Sequence, residues 1–151
     1  MTELRIRPAE DRDVPKIAAL ESACFSDPWS EASAAGTLHS PLGYVLIAEQ
    51  PDGEGNALPL GYLIASVFED EGELLRIAAA PSARRRGVGE ALLGHMLADR
   101  PGVHTWRLDV RTKNAAAIAL YEKFGFRTVT ENRDVYAKPR DNGYLMIREM
   151  N

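Results

Sequence analysis

The sequence predicts an α/β (α+β mixed sheet) fold, and three observations carry the prediction. An apolar run over residues 74–80 stops at Pro81 and is followed by a helical pattern at Ala91, Leu92, Leu93, Met96 and Leu97. A strictly alternating stretch over 106–111 comes next, and a second helical stripe, Ala117, Leu120 and Phe124, follows it. Two such strand–helix–strand units suggest local parallel pairing. The turn-rich segment 50–56, between two apolar runs, reads as an antiparallel hairpin tip.

The elements follow in order. Residues 4–7 alternate as a strand that Pro8 ends. A helix starts near Asp13-Val14-Pro15, with proline in its first turn and Ile17, Leu20 and Cys24 on its apolar stripe. Asp27-Pro28-Trp29-Ser30-Glu31 turns into a second short helix, and Pro41-Leu42-Gly43 punctuates. Residues 44–49 and 60–68 form the hairpin, and 74–80 the next strand. The helix after Gly87 ends near Arg100-Pro101-Gly102. Asn114 can cap the following helix, and Gly125 can end it in a left-handed conformation. Residues 126–130 and 144–148 close the sheet.

Several function classes are disfavoured by composition. The chain has 151 residues, enough for one ordinary core, and no interdomain linker interrupts it, so 1–151 reads as a single domain. A net charge of −4 opposes general nucleic-acid binding, which calls for a basic footprint, and leaves a basic peptide as an allowed partner. Cys24 is the only cysteine, so no intrachain disulfide forms and a reducing, cytoplasmic compartment is expected. The N-terminal segment, with Glu3, Arg5, Arg7, Glu10 and Asp11, does not read as a signal peptide. The uncharged run 32–48 is broken by Gly36, Pro41 and Gly43, so no membrane span is expected. His39, His95 and His104 lack metal-ligand spacing, and no metal is expected.

The loop between the 74–80 strand and its helix carries the chemistry. Arg84, Arg85 and Arg86 supply positive charge. Gly87 and Gly89 lack the Cβ atoms that would hold a phosphate away from the backbone, and Val88 opens a helix whose first N–H groups are free. No Gly-Lys-Ser/Thr is present, and Leu92 stands where a dinucleotide fingerprint wants glycine or alanine. The plainer reading is a helix start flanked by solvated arginines.

Arg84-x-x-Gly87-x-Gly89 resembles the coenzyme A pyrophosphate loop of the GNAT N-acetyltransferases. Leu108-Asp109-Val110-Arg111-x-x-Asn114-x-x-Ala117-Ile118-x-Leu120-Tyr121, ending in Gly125-Phe126, resembles the C-terminal half of the same superfamily. Within it, Pro28-Trp29-Ser30-Glu31 and the helix from Asn114 to Glu122 are most similar to the RimI-type ribosomal-protein-alanine N-acetyltransferases. The resemblance runs from Leu4 to Met150 and implies the GNAT acyl-CoA N-acyltransferase fold, with acetyl-CoA as co-substrate. It also implies a protein N-terminus as acceptor, the alanine of protein eighteen of the small ribosomal subunit. A small-molecule amine acceptor and a catalytically idle acyl-CoA-binding module are the rivals. In 133–139 the chain keeps only Arg133 and Tyr136 of the group's Arg-Asn-Tyr-Tyr-Pro pattern.

Direct attack of a neutral amine on a thioester needs a held carrier, a proton acceptor, an oxyanion donor and an acid for the thiolate. The resemblance assigns the carrier to Arg84–Gly89, to the main chain of Ile77, Ala78 and Ala79, and to Asn114. It makes Tyr121 both a carrier contact and the acid, and one strand N–H the oxyanion donor. Asp109 stands where the group has glutamate and is the base, with Glu73 the second candidate. Trp29 and Tyr136 border the acceptor. An α-amino group titrates near ~7.8 and lysine near ~10.4, so lysine costs roughly 3.5 kcal/mol more to deprotonate at pH 7. A modest base therefore suits an N-terminus. Each residue also has a plainer reading: Tyr121 as a core aromatic, Asp109 as a partner of Arg107 or Arg111, Asn114 as a helix cap, Trp29 as core filling.

Overall fold

The computed structural model describes residues 4–137 and 140–150; Glu3, named above, and the last two residues of the segment 133–139 lie outside the described residues. The strands are β1 (Arg5–Pro8), β2 (Gly43–Pro51), β3 (Ala57–Phe68), β4 (Glu71–Ala79), β5 (Thr105–Arg111), β6 (Arg127–Ala137) and β7 (Arg140–Glu149). The helices are α1 (Val14–Cys24), α2 (Glu31–Leu38), α3 (Val88–Asp99) and α4 (Ala115–Lys123), with single 3-10 turns at Asp11–Asp13 and Pro81–Ala83. This is the expected element order. The strands make one sheet, ordered β1-β2-β3-β4-β5-β7-β6.

One pairing expectation needs correction. β4–α3–β5 is a parallel unit, but β5 and β6 are not neighbours, because β7 lies between them and is antiparallel to both. The last two strands are also longer than the 126–130 and 144–148 apolar patterns. β6 is an exposed edge from Arg127 to Val135, so its sequence needs no buried alternation.

Side-chain alternation assigns the helices to faces. Gly61 of β3 faces α3: a Cβ there would lie 2.7 Å from Val88 Cγ1 and 2.6 Å from the Ala78 carbonyl oxygen. Its neighbour Tyr62 faces the other way and donates its hydroxyl hydrogen bond to Glu21 of α1. The α3 face carries the main core, with Leu63, Ala65, Leu74, Leu92, Leu93, Met96, Trp106 and Leu108 all buried. Glycine at 61 is what lets the start of α3 lie against β3 and β4. Gly61→Val is expected to cost roughly 1–3 kcal/mol through overpacking, read as a lower denaturant midpoint at unchanged slope.

Three devices fix this frame. Ser30 caps α2 by accepting the Ser33 N–H at 3.1 Å. At the other end of the sheet, Arg7 binds Asp13 (2.8 and 2.9 Å) and Glu49 (2.9 and 3.2 Å), both carboxylates buried. The hairpin tip 52–56 closes on Asp52, whose side chain accepts the N–H groups of Glu54 and Asn56.

Candidate active site

The site grows from one break in the sheet. β4 and β5 pair in parallel only from Glu71↔Thr105 to Leu74↔Leu108, and beyond that point they part. The register with β3 skips Leu75, a bulge that bends β4 away where the parting starts. The last residues of β4 therefore have one edge bonded to β3 and one edge open. Ala80 N–H donates to Leu60 O at 2.7 Å. By antiparallel alternation Ala78 also faces β3, and the peptide groups of Ile77 and Ala79 face the opening. Cys24 Sγ, 3.3 Å from Ala79 O, confirms the direction. This corrects one expectation: the main chain of Ala78 is engaged with β3 and is not offered to a ligand.

At the end of that open edge lies the arginine loop. Arg85 (φ 69°) and Gly87 (φ 76°) are both left-handed, which turns the backbone sharply before α3. The first bond of α3 runs from Ala91 N–H to Gly87 O at 2.9 Å, so the N–H groups of Val88, Gly89 and Glu90 have no acceptor within the helix. No atom lies within 4 Å of a Cβ built at Gly87. Arg84, Arg85 and Arg86 are exposed, and Arg86 reaches Gln50 at 3.0 Å. Open backbone donors, a helix N-terminus and three guanidinium groups together fit a diphosphate.

Tyr121 and Asp109 lie on opposite faces of the sheet: α4 packs against α3, with Leu120 beside Gly89 and Phe124 beside Gly94, whereas Asp109 alternates to the other face of β5. Tyr121, on α4, is 6% exposed and packs on Phe126 with ring centroids 5.9 Å apart. Its hydroxyl has no protein partner among the described residues, and no buried side-chain oxygen is left unpaired, so the hydroxyl tip reaches solvent. Burial, with a smaller contribution from Tyr136, raises the Tyr121 phenol above its ordinary value and keeps it protonated at neutral pH. Asn114 caps α4 by accepting the Ala117 N–H at 3.2 Å.

Asp109 shares the α1 face with Arg107 and Arg111, because Gly72 pairs with Trp106 and Glu73 with Arg107. It is exposed and forms no ion pair among the described residues, so the partnership with Arg107 is not seen. Glu73 is half-buried and stands opposite Arg107, below the point where the strands part. Tyr136 folds over the same face, 4.3 Å from the Arg111 guanidinium carbon. Burial raises its phenol, and the charge of Asp109 adds to the shift.

Sequence reasoning missed the floor of this site. Glu21 is fully buried, and its carboxylate accepts from Arg76 (2.6 and 3.2 Å), from the Trp29 N–H (2.7 Å) and from the Tyr62 hydroxyl. Arg76 also stacks on Phe25 at 4.1 Å and lies 5.8 Å from the Trp29 ring. One buried carboxylate thus pins the α1–α2 loop, and Trp29 with it, onto β4. The signal was present in the sequence: a glutamate on the Ile17–Cys24 stripe and an arginine inside an apolar strand.

A strand edge that opens toward a donor-rich helix start suits an enzyme that takes an acyl carrier. The chain belongs to the Acetyltransferase (GNAT) family, whose model matches residues 14–126, and it is an acetyl-CoA-dependent N-acetyltransferase. The [ribosomal protein bS18]-alanine N-acetyltransferase of Escherichia coli K12 is 37% identical over 129 residues, 84% of this chain and 83% of that protein. Its Salmonella typhimurium counterpart is 36% identical over 126 residues, 82% and 81% of the two chains. The crystal structure of the ribosomal-protein-S18-alanine N-acetyltransferase from Escherichia coli superposes with a TM-score of 0.87 at 31% identity, covering 99% of this chain and 95% of that one. Arabidopsis thaliana NAA60 in complex with acetyl-CoA shares the fold, with a TM-score of 0.86 at 18% identity over 98% and 100%.

Proposed function

We propose that this enzyme acetylates the N-terminal alanine of ribosomal protein bS18 in the cytoplasm, and that residues 1–151 act as one catalytic domain. The observation that carries the reading is the parting of β4 from β5, with the arginine loop following the open strand. The relatives named above act on that same alanine. Among the described residues no helix is long and apolar enough to cross a membrane, and no cluster of three metal-ligating side chains occurs.

The residues divide the work as follows. Arg84, Arg85, Arg86 and the N–H groups from Gly87 to Gly89 hold the diphosphate of acetyl-CoA. The N–H groups of Ile77 and Ala79 and the Ile77 carbonyl line its pantetheine arm, and one of these N–H groups faces the thioester carbonyl as its oxygen gains charge. Asn114 borders the arm from the start of α4. Acetyl-CoA supplies the activated acyl group.

Asp109 takes the proton of the incoming α-ammonium, through a water because its side chain is short. Tyr121 holds its proton on the other side of the opening and donates it toward the departing sulfur. Trp29 and Tyr136 wall the acceptor from the α1–α2 loop and from β6. Glu73, below the parting of the strands, is the alternative base. The N-terminal amine is the easier acceptor for an unassisted carboxylate, as its lower pKa requires.

Mass spectrometry of a peptide panel tests the reading. Incubation with acetyl-CoA is expected to add one acetyl group to peptides with an N-terminal alanine, and none to internal lysines. Acetylation of small amines alone would contradict it.

A further inference from the structure

Arg148 of β7 is a cation that the assignments above leave without a task. It pairs with Trp106 of β5 and so lies on the α3 face of the sheet. It is half-buried and makes no ion pair among the described residues. Its hydrogen bond goes instead to the end of α4, where Arg148 Nε–H donates to the Phe124 carbonyl oxygen at 2.8 Å. Phe124 caps α4, and its N–H donates to the Tyr121 carbonyl oxygen at 3.0 Å; the Phe126 N–H donates to that same oxygen at 3.1 Å. Gly125, between them, is left-handed (φ 92°), and a Cβ built there would lie 3.8 Å from Arg148 Nε, so the guanidinium sits beside this turn.

We infer that Arg148 is a positioning residue for Tyr121: it ties the last turn of α4 to the sheet and thereby fixes where the phenol hydroxyl stands. The inference rests on the acid assignment of Tyr121 and adds the residue that aims it. Carbonyls at a helix end lack donors within the helix and carry partial negative charge, so a guanidinium suits one of them. Two bonds of the turn converge on the carbonyl of Tyr121 itself, so a shift of the cap is passed to the residue that bears the phenol. The Phe124 ring holds the turn from α3: a Cβ built at Gly94 would lie 3.6 Å from it. With its ring against α3 and its carbonyl on β7, Phe124 has little freedom. Proton donation needs hydrogen-bond reach to the departing sulfur, and a misplacement of about 1 Å can cost on the order of a hundredfold.

Arg148→Met tests this, because methionine keeps an unbranched apolar stem and removes both the donor and the charge. Its single-turnover rate is expected to fall about tenfold, with the Kd for acetyl-CoA at its wild-type value. A double-mutant cycle with Tyr121→Phe separates aim from general support. Once the phenol hydroxyl is gone, Arg148→Met is expected to change the rate by less than about twofold. Arg148→Lys keeps a cation on a similar stem and serves where Arg148→Met does not fold. Its loss is expected to be smaller, and again confined to enzyme that carries the Tyr121 hydroxyl.

Equal losses with and without that hydroxyl overturn the inference, since a merely structural role lowers the rate in both backgrounds. So does an unchanged rate in Arg148→Met when Tyr121→Phe alone is strongly impaired; the acid assignment then stands and only its aiming by Arg148 falls. Wild-type turnover in Tyr121→Phe overturns the acid assignment itself, and this inference with it.

Discussion

Tyr121→Phe is expected to lower kcat by roughly a hundredfold to ten-thousandfold, the range of a positioned general acid, with the Kd for acetyl-CoA nearly unchanged. The ring that packs on Phe126 is retained, so the fold has no reason to respond. Only the hydroxyl is lost, and it is the group proposed to protonate the departing sulfur. Burial holds this phenol protonated above the ordinary tyrosine range. The wild-type rate should therefore show no alkaline fall from Tyr121 below that range. Single-turnover kinetics separate the chemical step from binding. Wild-type turnover in the variant would remove Tyr121 from the mechanism.

Arg7→Ala is expected to cost up to about 3–5 kcal/mol of stability, because it removes the cation that two buried carboxylates share and leaves Glu49 with Arg5 and Asp13 with only the more distant Lys16. Asp13 and Glu49 are 0% and 3% exposed, and Arg7 bonds to both. Burial works against the Asp13 charge, but the Arg7 side chain and the Glu10 N–H outweigh it and hold the carboxyl below its usual range. At Glu49 the Arg7 hydrogen bond leads, burial opposes it, and Arg5 adds to it; the net shift is again downward.

The sign of the pH effect follows from those directions. A carboxyl with a lowered folded pKa contributes stability that is present above its unfolded pKa and lost as pH falls through the folded value. Wild-type protein is therefore expected to lose stability from about pH 5 downward as these two groups protonate. In Arg7→Ala that acid-sensitive contribution should shrink. Thermal melts across pH 3 to 7 read both effects, and parallel curves for the two proteins would contradict the assignment.

The legible parts of this molecule are those governed by local rules. Gly87 and Gly125 are left-handed, Asn114 caps α4, Ser30 caps α2, and Trp106, Leu108 and Val110 share a buried face, each as turn chemistry or periodicity requires. The illegible parts depend on partners distant in sequence. Nothing local to residues 127–149 says that β7 inserts between β5 and β6. No periodicity marks the Leu75 bulge, which is defined only by its mismatch with β3. Ala78 could not be told from Ile77 and Ala79 without knowing which edge of β4 was taken. Glu21 and Arg76 were visible as charges in apolar stretches, but their joint role needed the 55-residue separation between them to be closed.

The central claim is that the loop from Arg84 to Gly89 grips the diphosphate of acetyl-CoA, and calorimetric titration of Arg84→Ala/Gly89→Glu tests it most directly. Glutamate at 89 sits in the first turn of α3, where a negative charge favours the helix, and its Cβ meets only Leu120 at 3.4 Å, so the protein should fold. The same charge stands where the phosphates would bind. The account predicts that acetyl-CoA affinity falls at least about a hundredfold, or roughly 2.7 kcal/mol. Wild-type affinity in this variant would contradict it.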